Sequence, residues 1–253
     1  MLTFTDMQVL EWITPILWPF LRVLALFGAL PVFAQRGVPA RVRVALAFMI
    51  AFCAQATLPA MPVLALDSAP ALLAVVQQLL IGLSLGFAVR IVFSAVEFAG
   101  EIIGLQMGLN FAGFFNPMTG GEATAVSRFF GISVAWLFIV TGGHLMLIAA
   151  VVQSFEAFPV GPEPFAFLGA VQPQVWGAEV FRLGLWIALP MIAMLLFVNL
   201  VLGIISCVAQ QMNIFAIGFP VTVSVGLVGV LLTLPMMQMP FTMALERMLQ
   251  QFR

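Results

Sequence analysis

Long apolar segments separated by short connections constrain this chain more than any other feature. We predict apolar helical segments at residues 13–33, 42–61, 71–95, 127–152, 181–209 and 214–236. Each is close to the roughly 20 residues that a helix needs to cross about 30 Å of hydrocarbon. The connections are rich in proline and glycine, and no linker divides the chain. The pattern predicts one all-α membrane domain over residues 1–253, ending in a short amphipathic helix after Pro240.

Composition supports a membrane protein and argues against nucleic-acid binding. Hydrophobic residues make up 63% of the chain and charged residues only 8%, whereas soluble domains carry about 25% charged residues. Every basic residue is arginine, and the formal net charge is -1. No extended basic surface is therefore available for a phosphate backbone, and we expect membrane lipid to be the surrounding medium.

Residues that carry out chemistry are sparse. His144 is the only histidine, and one histidine cannot form a multi-ligand metal site with two distant cysteines. Cys53 and Cys207 lie in apolar stretches, where we predict two unrelated core cysteines. The chain has no P-loop, HExxH pair, CxxC pair or nucleophile elbow. We therefore expect no enzyme activity, no cofactor and no metal.

The first apolar segment contains residues that do not suit lipid. Arg22 falls near its middle, where a lipid-facing arginine costs about 2.5 to 3.5 kcal/mol on insertion scales. Pro15, Pro19 and Pro31 each remove a backbone hydrogen bond that neighbouring protein or water must replace. We predict that this segment packs inside an assembly.

A stripe of small residues follows the third segment. Gly100, Gly104, Gly108 and Ala112 recur every four residues, so on a helix they form one continuous stripe that lets another backbone approach closely. The stripe indicates a protein neighbour. Packing within the chain and packing against another subunit are both open.

Two carboxylates lie beside that stripe. Glu97 and Glu101 are four residues apart, and like charges at this spacing destabilise a helix by a few tenths of a kcal/mol. They need water or a cation. They either pair with Arg90 or Arg128, or they line a water-filled path as a polar, proton-sensitive pair.

The segment 110–122 combines breaker residues with bulky apolar ones. Its glycines and proline prevent regular structure, namely Gly113, Pro117, Gly120 and Gly121. Its apolar residues make a water-bathed loop unfavourable, namely Phe111, Phe114, Phe115 and Met118. Non-helical backbone at membrane depth is tolerated where it is buried in protein or lines a cavity. The segment is therefore either a hydrophobic constriction that closes a pore or an ordinary buried connection.

Several motifs together resemble one protein family. They are PVF at 31–33, EFAGEIIGLQMG at 97–108 followed by an NP-containing loop, GGHLMLIAAVVQSF at 142–155, and QMNIFAIGFPVTVSVGL from Gln211. The chain is similar over nearly its full length to the FliR family, the R subunits of the flagellar type III protein-export gate. Cys207 and Gln210 stand where that family often has Arg and Pro.

The resemblance implies a hetero-oligomeric, cone-like channel core of kinked helical hairpins. One R subunit would assemble with P and Q subunits (FliP and FliQ), and FlhB would attach on the cytoplasmic side. Residues of about 1–180 would resemble a P subunit, and about 181–253 a Q-subunit hairpin. The location implied is the bacterial inner membrane, in the flagellar basal body, and the cargo is unfolded secreted proteins.

The resemblance also implies that residues 110–122 form a plug loop. The seal would come from Phe111, Phe114, Phe115 and Met118, and the shape and mobility from Gly113, Pro117, Gly120 and Gly121, next to Asn116 of the NP motif. Glu97, Glu101 and Gln106 would be structural or lumen-facing neighbours.

The main rival is a stand-alone proton-coupled secondary transporter. In that case Glu97, Glu101 and Arg90 would carry charge across the membrane. Transporters of this type show two similar halves, and we find no convincing internal repeat in the sequence. A transporter should also be stable by itself, whereas a gate subunit should need its partners.

Overall fold

The computed structural model describes residues 6–34, 38–65, 67–109, 123–209, 211 and 214–253. Their helices are α1 (Asp6–Ala29), α2 (Pro31–Ala34), α3 (Ala40–Ala54), α4 (Ala69–Gln106), α5 (Ala125–Val140), α6 (Gly143–Ala157), α7 (Ala166–Val171), a 3-10 helix (Pro173–Val175), α8 (Gly177–Val208), α9 (Ile214–Met236) and α10 (Gln238–Gln250). This part of the chain contains no strand. The predicted all-α fold is confirmed.

The number of membrane spans differs from the six predicted segments. Within the described ranges, four helices are long and apolar enough to cross a membrane, and the bent pair α5 and α6 could add a fifth. The segment 42–61 is the main correction. Its helix, α3, has only 15 residues and ends at Ala54; at 1.5 Å per residue it is about 22 Å long, too short for about 30 Å of hydrocarbon. Pro59 and Pro62 follow in non-helical backbone.

The predicted continuous helix at 127–152 is also wrong. The chain bends by 66° between α5 and α6. Gly142 adopts the left-handed conformation with φ 73° just before α6 begins, which suits a residue without a Cβ. In contrast, α4 is longer than predicted, with 38 residues, or about 57 Å. The described chain is a multi-pass helical membrane protein in which not every apolar segment is a straight span.

The described helices form two compact units that interleave along the sequence. The first unit contains residues up to 91, 142–176 and 245–253, and the second contains residues 92–141 and 177–244. Each unit therefore draws on both the expected P-like part and the expected Q-like part.

A buried arginine joins three helices of the first unit. The Arg22 side chain of α1 is fully buried. Its Nε donates to Gln78 Oε1 of α4 at 2.8 Å, its Nη1 to Ser154 Oγ of α6 at 2.7 Å, and its Nη2 to the carbonyl of Phe158 at 3.0 Å. The guanidinium carbon also lies 3.6 Å from the centre of the Phe155 ring. The requirement for protein around Arg22 is thus met within the chain.

Gln77 fixes the next residues of the same connection. Its Oε1 accepts hydrogen bonds from the Gly161 N–H at 3.0 Å and from Gln78 Nε2 at 3.0 Å, and its Nε2 donates to the Pro159 carbonyl at 3.2 Å. Because a buried amide without partners costs free energy, the pair of glutamines in an apolar helix is explained by these bonds. Buried side chains of α1 and α4 therefore hold the backbone at 158–161.

Two glycines bring α1 and α4 into backbone contact. A Cβ atom added at Gly86 would lie 2.7 Å from both the Leu26 carbonyl oxygen and the Ala29 Cβ, and one added at Gly82 would collide with the Arg22 backbone. The four-residue spacing of Gly82 and Gly86 is typical of close helix packing in membranes. Our sequence analysis missed this pair.

The second unit packs around an aromatic cluster and a helical hairpin. The Phe93 ring meets Phe138 edge to face at 5.6 Å and Phe241 at 5.9 Å. In the hairpin, Gly229 of α9 leaves space for Met191 and Met194 of α8. Helix α8 buries only one stripe, namely Gly184, Ile187, Ala188, Met191 and Leu195. Most of its apolar surface is therefore uncovered by this chain.

The two cysteines are free but are not core residues. Cys53 and Cys207 are both exposed, which contradicts the predicted burial. The reason is that most residues of α3 and α8 are apolar, yet each helix buries only one narrow stripe, and neither cysteine lies in it. In α3 the stripe consists of Ala47 and Ala51, and hydropathy alone does not identify the buried side.

We predict that Arg22→Met destabilises the protein by about 2 to 4 kcal/mol, because the buried Gln78 side chain and the partly buried Phe158 carbonyl lose their donor. Arg22→Lys should recover only part of this loss, since one ammonium cannot reproduce the guanidinium fork. The measurement is the thermal unfolding midpoint in detergent.

The matched control is Arg182→Met. The Arg182 side chain is 65% exposed and pairs with Glu179 at 3.2 Å, so its loss should cost less than about 1 kcal/mol. Equal unfolding midpoints for the two methionine variants would contradict the predicted contribution of the Arg22 hydrogen bonds to stability.

Candidate functional site

The candidate site is the frame that holds the two ends of segment 110–122. The segment follows Leu109 after the end of α4 and precedes Ala123 at the start of α5. Both flanks belong to the second unit. The described flanks give the geometry of the frame, while the segment itself lies outside the described residues.

Helix α4 ends in a capping motif built on glycine. Gly108 has φ 79°, its N–H donates to the Leu105 carbonyl at 3.0 Å, and the Leu109 N–H donates to the Gly104 carbonyl at 3.1 Å. These two bonds are those of a Schellman motif, which satisfies the last carbonyls of a helix. Gly108 therefore terminates the helix, and the prediction that it continues the helical stripe is wrong.

Helix α5 begins with a cap that is bonded to α4. Thr124 Oγ1 accepts the Ser127 N–H at 3.1 Å, and the Thr124 N–H donates to Glu101 Oε1 at 3.0 Å. Ser127 Oγ donates to the Glu97 carbonyl at 3.0 Å. Two hydrogen bonds thus join the start of α5 to the last turns of α4, and the third caps α5 itself.

The remaining stripe glycines lie directly under this cap. A Cβ atom added at Gly100 would lie 2.7 Å from Ser127 Cα, and one added at Gly104 would lie 3.0 Å from Thr124 Oγ1. Gly131 of α5 accommodates the Glu97 side chain in the same way, with Glu97 Oε1 3.1 Å from its would-be Cβ. Gly100 therefore lies against the backbone of α5 in the same chain, and Gly104 lies against the side chain of Thr124, which caps α5.

Helix α9 also packs against the frame, at Met107. Met107 is buried, and Gly226 leaves room for its side chain, since an added Cβ there would lie 2.5 Å from Met107 Cγ. The Thr222 hydroxyl is 3.5 Å from the Met107 carbonyl oxygen, at the outer limit of a hydrogen bond. The sequence analysis did not predict these roles for Gly226 and Thr222, although small residues in an apolar helix are a signal for close packing.

These contacts bring the two flanks of the segment together. Leu109 is bonded to Gly104, and Gly104 lies against Thr124, so the chain leaves and re-enters the helical frame at one place. The arrangement can hold a loop at a fixed position.

The predicted polar residues have separate environments. Glu101 is half-buried, and its bond to the Thr124 N–H puts a carboxylate at the N-terminus of α5, where the helix dipole stabilises negative charge. Backbone donors were not among the partners that we considered for it. Arg90 and Glu97 are exposed on α4, and Gln106 is half-buried.

The other predicted site residues belong to segment 110–122. Those outside the described residues are Phe111, Ala112, Gly113, Phe114, Phe115, Asn116, Pro117, Met118, Gly120 and Gly121. In the part of the chain that is described, no three His, Cys, Asp or Glu side chains come together as metal ligands would.

The fold and the frame define a class of protein, namely a multi-pass helical membrane protein with a short connecting segment held at both ends by tightly packed glycines and helix caps.

The comparison with known proteins identifies the family. Residues 13–248 match the family described as "Bacterial export proteins, family 1". The chain belongs to this family. It is 44% identical over 230 residues to the flagellar biosynthetic protein FliR of Escherichia coli (strain K12), covering 90% of this chain and 87% of the relative.

Two further relatives carry the same name. The FliR protein of Pectobacterium carotovorum subsp. carotovorum is 39% identical over 244 residues, covering 93% of this chain and 90% of the relative. The FliR protein of Aquifex aeolicus (strain VF5) is 33% identical over 227 residues, covering 89% and 87%. The similarity therefore extends over nearly all of each chain, as the resemblance in the sequence predicted.

We predict that Gly100→Ala destabilises the frame by about 1 to 3 kcal/mol, because the new methyl group meets a backbone atom of α5 that cannot rotate away. The expected result is a lower unfolding midpoint together with faster proteolytic cleavage within 110–122. Gly203→Ala is the control, since nothing lies within 4 Å of its would-be Cβ. If Gly100→Ala were as stable as that control, close packing at the frame would be disproved.

Proposed function

We propose that this chain is a non-enzymatic channel and assembly subunit of the flagellar type III export gate. It would reside in the bacterial inner membrane, in the flagellar basal body, and help to export unfolded flagellar proteins. The relatives named flagellar biosynthetic protein FliR and the match to a bacterial export family support this role.

The proposed partners are P and Q subunits (FliP and FliQ), with FlhB at the cytoplasmic side. The uncovered surface of α8 supports an assembly, because large exposed side chains such as Phe181, Trp186 and Phe197 line a helix of 32 residues. The short α3, with exposed Phe48 and Phe52, also needs cover from protein or lipid. In this assembly, residues of about 1–180 would take a P-like position and about 181–253 a Q-like position.

The proposed role of segment 110–122 is that of a plug that closes the channel. The observation that carries this proposal is the frame, in which the bond between Glu101 and Thr124 and the contact of Gly104 with Thr124 fix both ends of the segment. A displacement of the segment would leave the hydrogen bonds between its flanking helices, α4 and α5, in place. Its bulky apolar residues suit a constriction that excludes water and ions.

We predict that co-expression with P and Q subunits yields a large complex that contains one copy of this chain. The partner subunits would cover the exposed apolar faces of α3 and α8. Native mass spectrometry of material purified through a tag on this chain measures the composition. A stable monomer or homodimer would contradict the proposal and favour the proton-coupled transporter.

We predict that replacing residues 110–122 with an equally long Gly-Ser segment leaves the complex assembled but makes membranes leaky to small ions. The frame does not require the replaced side chains, whereas the seal does. Ion flux into vesicles that contain the purified complex is the measurement, with the unaltered complex as the control. A tight membrane with the replaced segment would argue against the plug.

A further inference from the structure

An acidic connection begins at the last two residues of α6, in the first unit. We use this name for residues 156–175, which contain exposed Glu156 and Glu163 and no lysine or arginine. The same stretch exposes large apolar side chains, with Phe165 64% exposed and Val175 57% exposed. Exposed acidic and exposed apolar side chains therefore occur within one connection of the first unit.

Hydrogen bonds from buried side chains of α1 and α4 hold the backbone of this connection. Arg22 binds the Phe158 carbonyl, and Gln77 binds the Pro159 carbonyl and the Gly161 N–H. Further along, Phe167 is buried, and its ring packs edge to face on Phe158 at 6.2 Å between centroids.

The end of the connection is held as well. Trp176, which follows directly, donates from Nε1 to Gln251 Oε1 at 2.9 Å and packs on Phe252 near the C-terminus. The exposed side chains are thus presented on an ordered backbone. An ordered surface loses less conformational entropy on binding than a flexible one.

Lipid is a poor partner for this surface. Helix α7 has 6 residues and the following 3-10 helix has 3, so neither element can cross hydrocarbon. Anionic headgroups would be repelled by Glu156 and Glu163, since lipid surfaces attract basic and not acidic segments. Exposed apolar groups framed by charge are typical of protein contacts.

We propose that the acidic connection docks a protein segment that carries lysine or arginine beside apolar side chains, supplied by another subunit of the export assembly. The basic groups would pair with Glu156 and Glu163, and the apolar groups would pack on Phe165 and Leu168. The inference relies on the proposed function only for the existence of the assembly.

The test places a photo-crosslinking benzoylphenylalanine at position 165 of the full-length chain, in cells that produce the whole apparatus. The expected product joins position 165 to one subunit peptide that contains lysine or arginine, identified by mass spectrometry. The double change Glu156→Lys and Glu163→Lys should reduce its yield about tenfold, because like charges then face each other. Changing the identified basic residue to glutamate should restore the yield in that variant.

The matched control is the same crosslinker at Phe48, an exposed residue of α3, whose product should not respond to the charge changes. A milder pair, Glu156→Gln and Glu163→Gln, keeps the shape of the surface and should lower the position-165 yield about threefold.

Three results would overturn the inference: crosslinking to lipid alone, a peptide without basic residues, or a yield that ignores charge reversal. The mass of each purified complex separates this failure from failure of the proposed function. An unaltered chain that enters no complex would overturn both proposals, whereas an intact complex without the charge-sensitive product overturns only this one.

Discussion

The packing of the first unit depends on the hydrogen bonds of one buried guanidinium. A charge removed from water is tolerated only where protein groups replace the lost solvation, and Arg22 obtains them from α4, α6 and the Phe158 carbonyl. Its donors point in fixed directions, so the three partners must keep their positions relative to α1. The same bonds, together with those of Gln77, hold the connection that presents the acidic surface.

Close backbone contact at glycine is the second constraint, and it acts along α4. Apolar surface gives little driving force between helices in lipid, so association depends on packing and polar contacts. Gly82 and Gly86 meet α1 in the first unit, and Gly100 and Gly104 meet α5 in the second. At the second contact, hydrogen bonds from Thr124 and Ser127 accompany the packing.

Local sequence signals predicted some features well and others poorly. The helices, the need for protein around Arg22 and the small stripe at Gly100 and Gly104 follow from hydropathy, charge and residue size. Gly108 was misjudged because four-residue spacing is shared by a packing stripe and by a helix that ends in a glycine cap. The bend at Gly142 was missed because an apolar run has the same hydropathy whether it is straight or bent.

The sequence by itself determined that this chain is an all-α membrane protein, because long apolar segments can satisfy their backbone groups in lipid only as helices. Its motifs also indicated the bacterial export family. The sequence did not determine which side of α3 or α8 is buried, or which partners Arg22 and Glu101 bind. Those features were decided by tertiary structure, since they depend on residues far apart in the chain. The bond between Glu101 and Thr124 and the bonds of Arg22 to Gln78 and Ser154 exist only once the helices have packed.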